Sequence, residues 1–288
     1  MNRFHPGLIL CPTDFSDRAG LALRHARDLA KVWKSRLLVL YANQFLPPPH
    51  FTSRQIEDLV RTLEKSKQSA RESLVSYIQE TIGDDVESTA LVIEDHPVPA
   101  IVKAAEDYSA DLIVMGTHGR SDINRVLMGS VTERILRETS RPVLTVRQKE
   151  GSTGESQLSI KTVLCPVNFT DVSKYALEHA VSVSMAFQAE LVLLKVVESD
   201  ERISDEEINQ QLCDWMPAGI RDHCRMRDLI RSGDASNQII SVAEEIDADL
   251  IVLGAQHKLL RDVTVIGTTT MRVTRHSPCA VLTVIKAK

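Results

Sequence analysis

Residues 10–26 read LCPTDFSDRAGLALRHA, and residues 164–180 read LCPVNFTDVSKYALEHA. Leu, Cys, Pro, Phe, Asp, Ala, Leu, His and Ala recur at a fixed offset of 154. Further on, SADLIVMG (109–116) returns as DADLIVLG (247–254), now at an offset of 138, and VLTV closes both halves at 143–146 and 281–284. The change of offset means that the first copy carries 16 extra residues, somewhere in 43–100. Repeats of this length are two copies of a whole domain, not a solenoid of short units. The expected organisation is a first domain at 1–147 and a second at 160–288. The polar, Gly/Ser-rich QKEGSTGESQLS (148–159) reads as a flexible linker between them.

Each copy alternates short apolar runs with helical stretches. In the first copy the strand candidates are GLILCP (7–12), RLLVLYA (36–42), STALVIE (88–94), ADLIVMG (110–116) and PVLTV (142–146). These runs are continuous rather than alternating, as expected of strands covered on both faces. Helix candidates lie between them. One starts at Ser16, one carries the apolar stripe Ile56, Leu59, Leu63, Ala70, Leu74 and Tyr77, one starts at Pro97 and one at Ser130. The predicted fold class is α/β: two tandem, doubly wound, Rossmann-like domains with helices on both faces of a parallel sheet. Ligands of such sheets sit at the carboxyl ends of the strands.

Composition bounds the function. Apolar residues make up 43% and charged residues 25%, ordinary for a globular protein. A net charge of -5 gives no global attraction to nucleic acid. No apolar run approaches the ~20 residues of a membrane helix, and the start has only a four-residue apolar run, too short for a signal peptide. A cytoplasmic protein without membrane or nucleic-acid partners is expected. The five cysteines are scattered, with no C-x-x-C.

Chemistry concentrates in VMGTHGRSDINRVLMGS (114–130), where Gly116, Gly119 and Gly129 account for three of the chain's 12 glycines. A strand ends at Gly116 and a helix opens at Gly129-Ser130, with Ser130 and Glu133 at capping-box spacing. Strand, glycine loop and helix N-terminus together bind phosphate through backbone amides and the helix dipole. Arg120 can add a charge-assisted contact. The stretch is neither a Walker loop nor G-x-G-x-x-G. Locally, glycines that only serve turns and a Ser130 that only caps remain an equal alternative. For Asp14 the plain alternative is a cap or turn residue, and His118 reads as a surface histidine.

The spacing G-x2-G-x9-G-S, the strand running into CPTDFSDRA, ADLIVMG and the closing RPVLTV resemble the universal stress protein family, over nearly the whole of both halves. That resemblance implies five parallel strands in the order 3-2-1-4-5 and an ATP-type nucleotide (ATP, ADP or AMP, with or without magnesium). Carried over, it puts Asp14 at the adenosine, with Pro12 and Thr13 shaping the turn and Ala42 by the adenine. Met115 and Gly116 would lie along ribose and phosphates. Gly119, Arg120, Gly129, Ser130 and Val131 would hold the phosphates. Asp95 departs from the glycine common in the family and present at Gly233.

The second copy departs further. Its loop, GAQHKLLRDVTVIGT (254–268), keeps Gly254 and Gly267 and offers the Thr268 hydroxyl, but puts His257 at the middle glycine, Lys258 at the arginine and Asn168 at Asp14. A side chain where backbone approaches phosphate is a steric conflict, so a degenerate second site is expected. His223, Cys224, His257, His276 and Cys279 lack the spacing of a zinc site.

The leading expectation is a stress-response binding module whose nucleotide sits mainly in the N-terminal domain. A slow ATPase or phosphotransferase is the alternative, although no lysine or carboxylate is placed for phosphoryl transfer and Asp122 is only a loose candidate. A ligand-free interaction protein is the third. PVLTV and AVLTV are both edge strands, apolar on both faces. They are expected to pair within the chain, with a homodimer or a further protein partner left open.

Overall fold

The computed structural model describes residues 4–44, 53–117, 128–147, 157–198, 204–255, 257–260 and 263–285. The first half runs β1 (Leu8–Thr13), α1 (Asp17–Trp33), β2 (Arg36–Ala42), α2 (Ser53–Ile82), β3 (Ser88–Ile93), α3 (Pro97–Asp107), β4 (Leu112–Gly116), α4 (Ser130–Glu138) and β5 (Val143–Val146). The second runs β6 (Thr162–Val167), α5 (Asp171–Phe187), β7 (Glu190–Val197), α6 (Asp205–Trp215), a 3-10 turn (Ile220–Asp222), β8 (Met226–Ser232), α7 (Ala235–Glu245) and β9 (Leu250–Ala255). It ends with β10 (His257–Leu260), β11 (Val263–Ile266), α8 (Thr268–His276) and β12 (Ala280–Ile285).

The repeat is reproduced down to the caps. Ser16 accepts from the Ala19 amide to start α1, and Thr170, at the same position of the second copy, accepts from Ser173 to start α5. Each supplies a partner to an amide that the helix itself cannot satisfy. Both helices stop at a left-handed residue, Lys34 and Gln188. The turn between strand and helix places Phe15 at φ 62° and Phe169 at φ 61°. Phenylalanine gives no sequence signal for that conformation. The turns after β3 and β8 differ as their residues do. Gly233 takes φ 130°, which Asp95 does not share, and the Asp95 carboxylate instead accepts from the His96 amide at 2.6 Å.

Within each half the strands of the main sheet are parallel, in the orders β3-β2-β1-β4-β5 and β8-β7-β6-β9-β12, and β10 and β11 form a separate antiparallel pair. The halves join through β5 and β12, which pair antiparallel to make one ten-stranded sheet, so neither apolar edge is left open. On one face α1 and α5 cover a single core that crosses the junction and contains Trp33, Leu144 and Leu282. The Phe4 amide also ties the halves, donating to Ser182 Oγ (3.0 Å) while its ring meets Trp33 and His179, and the end of the linker is held to the first half by the Leu158 amide, which donates to the buried Asp28 carboxylate (2.7 Å). The extra residues of the first copy lengthen one element: α2 has 30 residues where α6 has 11.

Candidate functional site

At the carboxyl ends of β1, β2 and β4 lies a cleft of about 540 Å³, within the size range of small-molecule sites. Nine residues that the sequence singled out line it: Pro12, Thr13, Asp14, Ala42, Met115, Gly116, Gly129, Ser130 and Val131. Gly119 and Arg120 lie outside the described residues, as do His118 and Asp122. The cleft also uses Leu40, Tyr41, Asn43, Pro97, Ile101 and Thr132. Leu40 and Tyr41 of β2 and Pro97 and Ile101 of α3 were missed because nothing local separates them from ordinary strand and helix residues. Only the crossover of the chain brings them beside the loop.

The turn after β1 is self-supporting. Thr13 Oγ1 accepts from the Phe15 amide and Asp14 Oδ1 from the Ser16 amide, both at 3.0 Å. Asp14 thus organises an Asx turn, and Ser16, not Asp14, caps the helix. The Phe15 ring packs on Tyr41 and Tyr77, and burial pushes the Tyr77 phenol above its ordinary pKa.

At the other side the cleft ends on the N-terminus of α4. Here the structure corrects the capping-box expectation. Gly129 is the N-cap and no side chain caps the helix. Glu133 turns instead to Arg137 (2.6 Å) and Arg275 (3.2 Å), two cations that compete for the carboxylate a capping box would use. The Gly129 amide donates to the Thr117 carbonyl (2.7 Å), so it is occupied, and Thr132 Oγ1 donates to the Gly116 carbonyl (2.9 Å). The first intrahelical bond is Glu133 to Gly129, so the amides of Ser130, Val131 and Thr132 have no partner within the helix. Three amides and the positive end of a helix dipole make an anion-binding terminus.

Gly116 has a different reason from the one its position in the loop suggests. A Cβ there would come within 3.2 Å of the Arg18 carbonyl oxygen. In the second copy a Cβ at Gly254 would come within 2.6 to 2.9 Å of Val172. Both glycines let a strand end approach the first turn of the helix that covers it, α1 or α5, which accounts for their presence in both copies independently of any ligand.

The second copy keeps the frame of the site and alters its surface. Asn168 Oδ1 accepts from the Thr170 hydroxyl (2.7 Å), preserving the turn without the charge. Thr268 opens α8 behind the N-cap Gly267, and Thr270 Oγ1 donates to the Gly254 carbonyl (3.4 Å). Where the first copy has its glycine loop, the second forms a hairpin, with His257 paired to Ile266 in the β10–β11 ladder. Among the described residues no group of three or more His, Cys, Asp or Glu converges on a metal position, and no helix is long and apolar enough to cross a membrane.

A model of the universal stress protein family matches residues 7–147 and 223–284. Universal stress protein MJ0577 of Methanocaldococcus jannaschii is 31% identical over 156 residues, spanning 49% of this chain and 94% of its own. A universal stress protein of Thermus aquaticus is 33% identical over 141 residues, spanning 48% of this chain and 97% of its own. Two solved structures match the whole tandem architecture. One, a universal stress protein from Archaeoglobus fulgidus, has a TM-score of 0.70 and 23% identity and covers 98% of this chain and 99% of its own. The other, a putative universal stress protein from Pseudomonas aeruginosa, has a TM-score of 0.62 and 17% identity and covers 98% and 93%.

Proposed function

This chain belongs to the universal stress protein family, and from that premise we propose that the cleft of its first copy binds an adenine nucleotide and that the protein is a nucleotide-responsive regulatory module. The observation that carries the reading is the pairing of unlike ends in one cleft. The uncapped N-terminus of α4 suits a phosphate chain, and the Asp14 turn at the opposite strand end suits a hydroxyl-bearing sugar. Between them Leu40, Ala42, Ile101 and Met115 form an apolar wall suited to a flat base. The residues present therefore fit the ligand. Ser130, Val131 and Thr132 would hold phosphate through their amides, and Asp14 would accept from the ribose. Magnesium, if it accompanies the nucleotide, would be held through the phosphates.

Binding rather than turnover is the favoured activity, because among the described residues the cleft lining has one carboxylate, Asp14, and no lysine. Phosphoryl transfer draws on a metal-holding carboxylate, a cation and a group that orients the nucleophile. The test is denaturation of the purified full chain and mass spectrometry of the released small molecules, followed by calorimetry with ATP, ADP and AMP. Absence of any adenine nucleotide in the release, together with no heat for all three, rejects the reading. Steady phosphate release that needs magnesium would move the protein to the enzyme class.

A further inference from the structure

The hairpin β10–β11 replaces the glycine loop of the second copy, and its strand β11 packs against α4 of the first copy. Ile266, 2% exposed, is buried with Ala255 and Ile285 in the cluster that contains Met128, Ile135 and Leu136, with Val131 at its margin. Three residues of the second copy thus complete the core beneath a first-copy helix. A polar link lies alongside. The Glu133 carboxylate accepts from Arg137 through one oxygen and from Arg275 through the other. Arg137 and Arg275 are the same position of the two copies, 138 residues apart, so equivalent arginines converge on one carboxylate. The second copy has Met271 where the first has Glu133, so the link exists on one side of the junction only. The far end of α8 is fixed in turn, because the Arg275 carbonyl accepts from Arg147 (2.6 Å), the residue that follows β5.

Helix α4 needs such support. It has nine residues and no side-chain cap, and helices this short are not stable without tertiary contacts. We propose that the second copy acts as a buttress for the first. Ile266 of the hairpin and Arg275 of α8 hold α4 where its N-terminal amides form the cleft wall, so that ligand affinity in the first copy is regulated through the second. The effect on affinity rests on the nucleotide reading above, whereas the buttress itself does not.

Hydrogen exchange and ATP calorimetry on the full chain test it, with Arg275→Gln, Ile266→Ala and the control Arg272→Gln, which lies on the same helix and pairs with Asp234 instead. In Arg275→Gln the hydrogen-bonded amides of residues 133–138 should exchange about two- to fivefold faster than in the parent, as expected for loss of a partly exposed ion pair. In Ile266→Ala the acceleration should be about tenfold or more, as expected for a truncated core side chain. The control should match the parent, and ATP dissociation constants should rise in the same order. Unchanged exchange of 133–138 in both variants overturns the buttress. Faster exchange with an unchanged ATP constant overturns its coupling to the cleft. Faster exchange in a chain whose parent binds no ATP leaves the buttress standing and rejects the nucleotide reading alone.

Discussion

Leu144 lies directly opposite Leu282 in the β5–β12 ladder, and the two leucines are the same position of the two copies. The flanking pairs exchange partners accordingly, Val143 with Thr283 and Thr145 with Val281. An antiparallel pair that matches each residue with the repeat of its partner has a two-fold axis through its middle, so the tandem chain is an internal pseudo-dimer. The symmetry is incomplete in detail. Thr145 Oγ1 donates to the Val281 carbonyl (3.2 Å), whereas the buried Thr283 hydroxyl has no such partner.

Separation of the halves should expose this edge. A fragment of residues 1–147 loses the partner of β5 and should self-associate through it, because an apolar unpaired strand templates pairing. Light scattering after size exclusion should report a dimer or larger species for the fragment, with more copies per particle than the full chain has at the same concentration. A fragment that stays monomeric at high concentration would count against edge closure as the reason for the tandem arrangement.

The two strand-end glycines should differ in their tolerance of alanine. At Gly254 the added Cβ meets Val172 backbone atoms at 2.7 and 2.9 Å, contacts that only a backbone shift relieves, whereas at Gly116 the nearest atom is 3.2 Å away. Overpacking of this kind costs about 1–3 kcal/mol, so Gly254→Ala should lose stability in that range and Gly116→Ala distinctly less. Urea midpoints at constant slope measure both. Equal losses would show that the strand end moves freely.

Stability should fall in mild acid. Burial lowers both His25 and His179, equivalent positions in the repeat, to about 4. Arg24 and Arg27 also lower His25, opposed by Asp28, and the Tyr175 carbonyl acts against the shift at His179. The folded chain therefore binds these protons less readily than the unfolded chain, whose histidines titrate near 6.5. The stabilisation is complete above about pH 6.5 and is lost as the pH falls toward 4, by about 3 kcal/mol per histidine at most. The difference between the parent and a His25→Leu, His179→Leu double variant isolates this part from the carboxylates. A difference that does not change with pH over that window would contradict it.

Gly129→Val should remove nucleotide binding with the fold retained. The position is the N-cap of α4 and lines the cleft, so a branched side chain would occupy the space beside the first helical amides. At least a tenfold weaker ATP constant with an unchanged far-ultraviolet spectrum is expected, and full affinity would displace the site.

Calorimetry should give one adenine nucleotide per chain. Asn168 keeps its turn without a charge, and the hairpin that begins at His257 stands where the loop would have to wrap a phosphate. Two equivalent sites per chain would show that the second copy accommodates ligand in spite of both changes.

The amino-acid sequence alone disclosed the two copies, the α/β class, the strands of the first copy and the end of the sheet where the cleft opens. Those features follow from repeated blocks and from the spacing of apolar residues, which act over a few neighbours in the chain. Tertiary structure alone decided that Gly116 faces Arg18, that Phe15 turns through a left-handed conformation, and that Glu133 forsakes the helix cap for Arg137 and Arg275. It also decided that the altered loop of the second copy becomes a hairpin whose Ile266 completes the core of the first. What separates the two sets of features is range. Packing and ion pairing act across a few ångströms of space, and folding brings Glu133 and Arg275 within that distance from positions 142 residues apart, where no local pattern connects them.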